Sequence, residues 1–409
     1  MHPPIADISL NGSSLENIYW GILIVTYPFV SGLVAGSFVV ASLSHVFKQH
    51  KLDRLAPLAL IISFALLLGA PLTVLADARQ PVNAFELFTR AHVPYSPLGD
   101  FTVIWLTYVL LMFVETYFAF REGNVRRSQG IGWRAKVGRV LALGSSDLSD
   151  RARRRDGRML VILSAIGILL AFLFHGYIGF VFGGIKARAI WSTPLMPILF
   201  IVSAMVSGIA FVYLVYVLVC KYYREPADRQ VLDTLLKYLL VFILLDAYLD
   251  GVDVVTSGLS AYTQGPVSSA FARIFLHGPH AFPYLGLQLV VGLLIPIVLW
   301  LIPRVRRSVV GGSAIALCVL IGVYAMRYNV VIGGQMESKI SHGLVNMSIP
   351  FTGFDSVQTV IGIFGAIFLI FMLLAWLLPW REPAPDALPV GEVSPGQATF
   401  AAKPAETVG

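Results

Sequence analysis

Charged residues are scarce in this chain. Only 13% of its 409 residues are Asp, Glu, Lys or Arg, while 57% are hydrophobic. A soluble domain usually carries about 25% charged residues, so the composition predicts a polytopic membrane protein. The formal net charge of +7 does not indicate nucleic-acid binding, because the excess cations lie in short loops between apolar segments, where they are typical topology signals.

Cysteine is also scarce, and the pattern of cysteine and histidine excludes several cofactors. Cys220 and Cys318 lie in or beside apolar segments, without C-x-x-C or metal-ligand spacing. We therefore expect no iron–sulfur cluster, no c-type haem, no metal site and no disulfide. A b-type haem needs two histidines at matching depth, but His45 and His175 belong to opposite ends of their helices. No haem is expected in this chain.

Long apolar runs make up most of the sequence. About 20 residues are needed to cross roughly 30 Å of hydrocarbon. The first 17 residues contain no Lys or Arg, so the first run lacks the positive region of a cleavable signal and is expected to be a retained helix.

We predict an all-α transmembrane bundle over residues 1–380 and a disordered cytoplasmic tail, rich in Pro and Ala, over 381–409. About nine spans are predicted, with eight or ten also compatible: 18–47, 55–76, 101–120, 159–182, 194–220, 232–253, 283–302, 308–326 and 357–379.

The loops alternate in charge. Residues 121–158 hold eleven Lys or Arg against four acids, and smaller basic clusters mark the first, fifth and seventh loops. The odd loops and the C-terminus are therefore predicted to be cytoplasmic, with the N-terminus outside. Most polar residues without a topological explanation fall in the even loops, so function is expected at the outer face.

Three carboxylates inside the sixth predicted span form the strongest internal pattern. Asp246, Asp250 and Asp253 follow i, i+4, i+7 spacing, which places them on one face of a helix. Ionisable groups inside a membrane are costly and often functional. The pattern indicates either a proton relay or structural pairing with Arg or backbone donors.

Glu115 is a second internal acid, one to two turns from the cytoplasmic end of the third span. A salt bridge to a nearby Arg is the simpler interpretation, and a proton relay is the alternative. Gly32 and Gly36 form a G-x-x-x-G pattern, which favours close helix packing.

The stretch FHGYIGFVFGGIKARAIW, residues 174–191, ends a long apolar run with polar groups. His175 and Tyr177 could bind or exchange protons with a ligand, and Lys186 and Arg188 follow a Gly-rich bend. From these residues alone, interfacial anchoring by aromatic rings and cations is the favoured interpretation.

Two motifs resemble the NrfD/PsrC-type family of polysulfide reductase membrane subunits. The first is LADARQP followed by YSPLGDF, containing Asp77, with Ser-Pro before the third span. The second is Tyr177-x-Gly179 and the residues that follow it, which are Trp191, Pro194, Pro197, Phe200 and Gly208. The chain length and the stretch RYNVVIGGQMESK, residues 327–339, are more similar to a longer branch that includes the hydrogenase-2 membrane subunit and the integral subunit of the Dsr complex. Asp100 departs from the usual Trp or Gly content after Ser-Pro.

The resemblance implies a cofactor-free helical subunit of a respiratory complex in a bacterial or archaeal cytoplasmic membrane. It would bind menaquinone or ubiquinone near the outer face and exchange electrons with a docked ferredoxin-like iron–sulfur subunit. Terminal catalysis, in sulfur-compound metabolism, would lie on further redox subunits.

The resemblance, read together with the chemistry of the side chains, gives roles to individual residues. Asn17, Tyr19, His175 and Tyr177 would bind the quinone, although Asn17 could equally be a helix N-cap. Asp77 and Tyr177 would serve catalysis, and Lys186 and Arg188 would contact the partner. Asp250 is a further catalytic candidate, which follows from the geometry of the aspartate stripe and not from the resemblance. Arg79, beside Asp77, could neutralise it.

Two other classes of function stay open. A secondary transporter would place its site at the bilayer midplane among broken helices, whereas here the polar residues gather near one face. A passive membrane anchor would bind no quinone analogue.

Overall fold

The computed structural model describes residues 20–78, 83, 86–188, 190–259, 270–337, 344–345 and 347–381. The described chain is built from helices, and its β-structure is one isolated bridge between Glu337 and Leu344. The predicted tail lies outside the described residues beyond Arg381. The helices are α1 Ile22–Val46, α2 Ala56–Gly69, α3 Pro71–Asp77, α4 Glu86–Thr89, α5 Pro97–Ser128, α6 Trp133–Leu141, α7 Asp150–Gly183, α8 Met196–Tyr222, α9 Arg229–Asp253, α10 Phe282–Leu301, α11 Pro303–Arg306, α12 Val309–Val331 and α13 Val357–Leu377.

Eight of the predicted spans are confirmed by length and apolar character among the described residues, with α2 and α3 together forming one of them. The sixth predicted span is the 25-residue helix α9. It has the length to cross a membrane, but Arg229, Asp233 and Lys237 join the three aspartates in interrupting its apolar surface. The all-α polytopic fold is confirmed.

Helix α1 lies at the centre of the bundle and packs against α2, α7, α8 and α12. Small residues allow its closest contact. A Cβ added at Gly36 would lie 2.2 Å from the backbone oxygen of Ala204 and 2.7 Å from Cα of Gly208. The G-x-x-x-G prediction of helix packing is therefore confirmed, because any side chain at Gly36 would push α8 away.

Helices α5 and α7 are much longer than their apolar cores, with 32 and 34 residues. Their basic extensions are held together by Arg121, which is fully buried and donates from Nε to Asp156 at 2.5 Å. The same guanidinium donates to Ser145 and to the backbone oxygen of Asp147. We call this part of the molecule, with residues 47–55, 121–158, 223–228 and 302–308, the basic end.

The opposite end contains the starts of α1 and α5 and the end of α7. Ser96 caps α5 by accepting from the backbone N–H of Gly99 at 3.3 Å, and Pro97 occupies the first turn. The Ser-Pro motif is thus a helix start. Asp355, which is distant in the sequence, caps the start of α1, because its Oδ1 accepts a hydrogen bond from the backbone N–H of Leu23 at 3.0 Å.

Candidate functional site

A cavity of about 800 Å³ lies at the opposite end, between the start of α1, helix α3, the start of α5 and the end of α7. Its described wall is largely aromatic and aliphatic, with Trp20, Tyr27, Phe101 and Trp105 among the lining residues. This volume falls in the range typical of small-molecule sites, about 300–1,000 Å³. The cavity suits an apolar small molecule.

Asp77 is the carboxylate in the described wall of this cavity. It is the last residue of α3, a helix that starts with Pro71 and places Val74 and Leu75 on the same wall. A carboxylate in an apolar cavity can accept a hydrogen bond or exchange a proton with a bound ligand. The sequence motif therefore brings Asp77 to the cavity. Asn17, Tyr19 and Arg79 lie outside the described residues.

Tyr177 lies beside the cavity, behind Phe101, with the two ring centroids 6.2 Å apart. Its hydroxyl donates to Oδ2 of Asp100 at 3.2 Å. Asp100 is thus a residue that the sequence indicated only as a departure from the family pattern. An acid in the first turn of α5 also interacts favourably with the helix dipole. The Tyr177–Asp100 pair joins α7 to α5 at the edge of the cavity.

His175 is placed differently, facing the bundle interior with no exposed surface. Its Nδ1 is 3.2 Å from Oγ of Ser31, and its Nε2 is 3.1 Å from Nη2 of Arg327. Its ring stacks on Phe200. Both ring nitrogens therefore have protein partners, and His175 is not among the residues lining the described wall of the cavity.

Arg327 is a fully buried arginine of α12 that the sequence patterns did not single out. Besides His175 it donates to Oγ of Ser203 at 2.6 Å, and its guanidinium lies 4.0 Å from the ring centroid of Phe200. Asp246 and Asp250 are the carboxylates that attract it electrostatically. Arg327 could have been found in the sequence as a cation within the apolar run CVLIGVYAMRYNVV. A cation is rare inside a membrane span and requires a partner there.

Two of the three aspartates have separate hydrogen-bond partners, whereas Oδ1 of Asp246 is buried without one among the described residues. Asp253 accepts from Oγ1 of Thr193 at 2.7 Å, and Asp250 accepts from Nε2 of Gln288 at 3.3 Å. Gln288 in turn accepts from Asn329 at 2.9 Å. Asp250 therefore faces α10, and the side-chain amides of Gln288 and Asn329 extend the polar network to α12.

A small cavity of about 30 Å³ lies between this network and Ser203, a hydrogen-bond partner of Arg327. Asp246, Asp250 and Gln288 line it on one side, and Ser203, the partner of Arg327, lines it on the other. The space and its polar wall suit one water molecule. Polar groups therefore run from the Asp253 end of α9 across the bundle to Ser31 on α1.

Lys186 and Arg188 follow the end of α7. Lys186 is exposed, while Arg188 is partly buried and donates from Nη1 to the backbone oxygen of Gln335 at 3.0 Å and to that of Glu337. Arg188 thus fastens this bend to the segment after α12. Trp191 is buried, and its Nε1 donates to the backbone oxygen of Val330 at 2.6 Å. This ring is therefore not an exposed anchor at the membrane interface.

Glu115 is buried and accepts from Oγ of Ser164 at 2.7 Å. The salt bridge expected between Glu115 and an arginine near this end of the span is wrong: among the described residues Glu115 bonds to Ser164, and the guanidinium of Arg121 is bound to Asp156. Among the described residues, no group of three or more His, Cys, Asp or Glu is arranged to hold a metal ion.

The fold and the cavity define a class of protein, the polytopic helical membrane proteins with an apolar cavity near one end. A family model described as "Polysulphide reductase, NrfD" matches residues 12–338. The chain belongs to the polysulphide reductase NrfD family, as the two motifs predicted. Its placement in the longer branch stays a prediction.

Named relatives agree with this assignment. The chain is 27% identical over 384 residues to a selenate reductase subunit of Mesobacillus selenatarsenatis, covering 88% of this chain and 85% of the relative. It is 22% identical to the Hdr-like menaquinol oxidoreductase integral membrane subunit of Archaeoglobus fulgidus, covering 91% and 88%. It is also 22% identical to the menaquinone reductase integral membrane subunit of Nitratidesulfovibrio vulgaris, covering 86% and 78%. The chain is accordingly a membrane subunit of a redox complex.

Proposed function

We propose that the cavity beside Asp77 binds a quinone or quinol and that the chain exchanges electrons between this ligand and a docked iron–sulfur subunit. The observation that carries the proposal is the cavity itself, about 800 Å³ of mainly apolar space with a carboxylate in its described wall. A quinone ring can pack against Trp20, Tyr27 and Phe101 while its tail extends along aliphatic residues. Two relatives are named for menaquinol or menaquinone, which favours a menaquinone.

Protons must accompany the electrons, and Asp77 is the group placed to exchange them. Tyr177 and Asp100 border the cavity and would hold the start of α5 in place against α7. His175 is not one of the quinone ligands in this proposal, because its two nitrogens are bound to Ser31 and Arg327. Asn17 and Tyr19 stay candidates from the family pattern.

The network from Asp253 to Arg327 is proposed to conduct protons within the bundle. The small cavity between Asp250 and Ser203 supports this role, because one water there would bridge the carboxylates to Ser203, which accepts from Arg327. Glu115, bonded to Ser164, is a separate candidate nearer the basic end.

The proposed orientation follows the distribution of charge. The basic end would face the cytoplasm and the quinone cavity would lie near the outer face. Lys186, which is exposed close to the cavity end of α7, would then be available to the iron–sulfur partner. The terminal substrate is proposed to be an oxidised or reduced sulfur compound, following the family resemblance.

Filling the cavity beside Asp77 tests whether a quinone binds there. Val74→Trp should occupy the space next to Asp77, weaken binding of a quinol analogue to the purified complex and lower quinol-linked turnover. The matched control is Leu369→Trp on α13, where the side chain is 68% exposed and faces outward. Binding can be followed by quenching of the analogue's fluorescence.

Unchanged binding and turnover in an assembled Val74→Trp complex would contradict quinone binding at this site. Purification without partner subunits would instead favour a transporter, and an assembled wild-type complex that binds no analogue would favour a passive anchor.

A further inference from the structure

A second cavity, of about 840 Å³, lies at the basic end of the bundle. Helices α2, α6, α8 and α13 and the end of α5 form most of its described wall, which includes Phe211, Leu218, Phe368 and Trp376. It matches the quinone cavity in size but differs in chemistry. Its described wall contains two arginines, Arg127 and Arg134, and no Asp, Glu or His.

The cavity opens toward the surroundings of the bundle. Leu218 on α8 and Phe368, Met372 and Trp376 on α13 line it and are also exposed, with between 45% and 62% of their surface accessible. Exposed apolar side chains on membrane helices contact hydrocarbon chains. A ligand with long acyl chains can therefore enter from the side.

Helix α6 closes the cavity at its basic end. Its residues Trp133, Arg134 and Val137 line the space, and Trp133 stacks on Trp376 of α13 with ring centroids 4.7 Å apart. Lys136 and Arg139 of the same helix are exposed. A short helix with Trp at the apolar boundary and cations on its polar face is typical of the membrane–water interface.

The two arginines in the described wall lie at the basic end of the cavity. Arg127 is held by a hydrogen bond of 2.9 Å from Nη1 to the backbone oxygen of Leu377. Arg134 is exposed and lies 5.6 Å from the ring centroid of Trp133. The nearby acid Glu225 is paired with Arg381. The described rim of the cavity thus contributes two guanidinium groups above a largely apolar interior.

We propose that this cavity binds one anionic diacyl phospholipid, with its phosphate at Arg127 and Arg134 and its acyl chains between α8 and α13. Charge complementarity favours an anionic over a zwitterionic lipid. A second quinone is disfavoured because the described wall lacks a carboxylate or imidazole to exchange protons with it. The site is independent of the quinone cavity, which lies at the other end of the bundle.

The test uses the purified complex, depleted of lipid in detergent and then titrated with phosphatidylglycerol or phosphatidylcholine under native mass spectrometry. Wild type should bind one phosphatidylglycerol more tightly than phosphatidylcholine. Arg134→Gln should weaken phosphatidylglycerol binding about fivefold, the effect expected of one cation near an anionic head group, and Arg134→Glu should weaken it further. The matched control is Arg154→Gln, an exposed cation at the start of α7, which should bind as wild type.

A second variant tests the apolar part of the site. Ala375→Trp fills the cavity wall while leaving both arginines in place, and it should lose phosphatidylglycerol binding. Equal affinity for the two lipids in wild type, or equal losses in Arg134→Gln and Arg154→Gln, would overturn the proposal. Recovery of a quinone that Ala375→Trp displaces would overturn it as well.

Discussion

Arg327 donates from Nη2 to Nε2 of His175 at 3.1 Å, inside the bundle where neither side chain has exposed surface. A guanidinium can only donate, so Nε2 is the accepting nitrogen and the ring proton lies on Nδ1, which donates to Ser31. The pair therefore connects α12, α7 and α1 and fixes the tautomer of the histidine.

Arg327→Gln should destabilise the subunit strongly. It removes the cation that faces Asp246 and Asp250 and leaves buried charge without a partner, a change that typically costs about 3–5 kcal/mol. The yield and thermal unfolding temperature of the purified complex measure the effect. Arg304→Gln, at an exposed position of the basic end, is the control. Adding Asp246→Asn to Arg327→Gln should restore part of the lost stability, and wild-type stability of Arg327→Gln alone would refute this account.

Asp77→Asn should lower quinol-linked turnover by roughly 100-fold, the scale of losing a general acid or base, while the complex stays assembled. An amide can hold a ligand by hydrogen bonding but cannot exchange the proton. Steady-state turnover and subunit stoichiometry are measured together. Asp233→Asn on the exposed side of α9 is the control. Poor assembly of Asp77→Asn would point to a structural ion pair instead.

Tyr177→Phe should reduce turnover by roughly tenfold, because it removes one hydrogen bond to a carboxylate, worth about 1.5 kcal/mol. The hydroxyl donates to Asp100, so Tyr177→Phe and Asp100→Asn should act on the same contact. The double variant is therefore expected to show little loss beyond the larger single effect. Fully additive losses would show that Tyr177 acts directly on the ligand.

Asp250→Asn should slow quinone reduction several-fold with little loss of assembled complex. The amide keeps a partner in Gln288 but cannot pass on a proton. In the direction that takes up protons, the defect should shrink as the pH is lowered, because a higher proton concentration compensates for slow supply. Turnover is measured from neutral to acidic pH against wild type. Normal turnover in a complex that dissociates in detergent would identify the aspartates as pairing groups.

Gly36→Ala should destabilise the bundle, because its Cβ would lie 2.2 Å from the backbone oxygen of Ala204. Gly362→Ala is the matched control, since nothing lies within 4 Å of a Cβ added there, and it should be neutral or stabilising by up to about 1 kcal/mol. Thermal unfolding of the two variants gives the comparison. Equal stability would mean that α1 and α8 can separate without cost.

The candidate site was only partly predictable. The motif around Asp77 and the Ser-Pro helix start led to the cavity because local sequence sets where α3 ends and α5 begins. Asp100 and Gln288 were missed, since a polar residue at a helix end or in an apolar run gives no sign of its partner. His175 was assigned to the quinone by its neighbours in the sequence, but on a helix Tyr177 is two residues away and faces another direction.

The sequence by itself determined that this is an all-helical membrane subunit, where most helices lie and which end is basic, because apolar length and loop charge are local properties of the chain. Only the tertiary structure decided that His175 and Arg327 meet, that Arg121 pairs with Asp156 instead of Glu115, and that two cavities of similar size differ in chemistry. Each of those outcomes depends on which faces of distant helices pack together, and small residues such as Gly36 and Gly208 set that packing through contacts across the bundle.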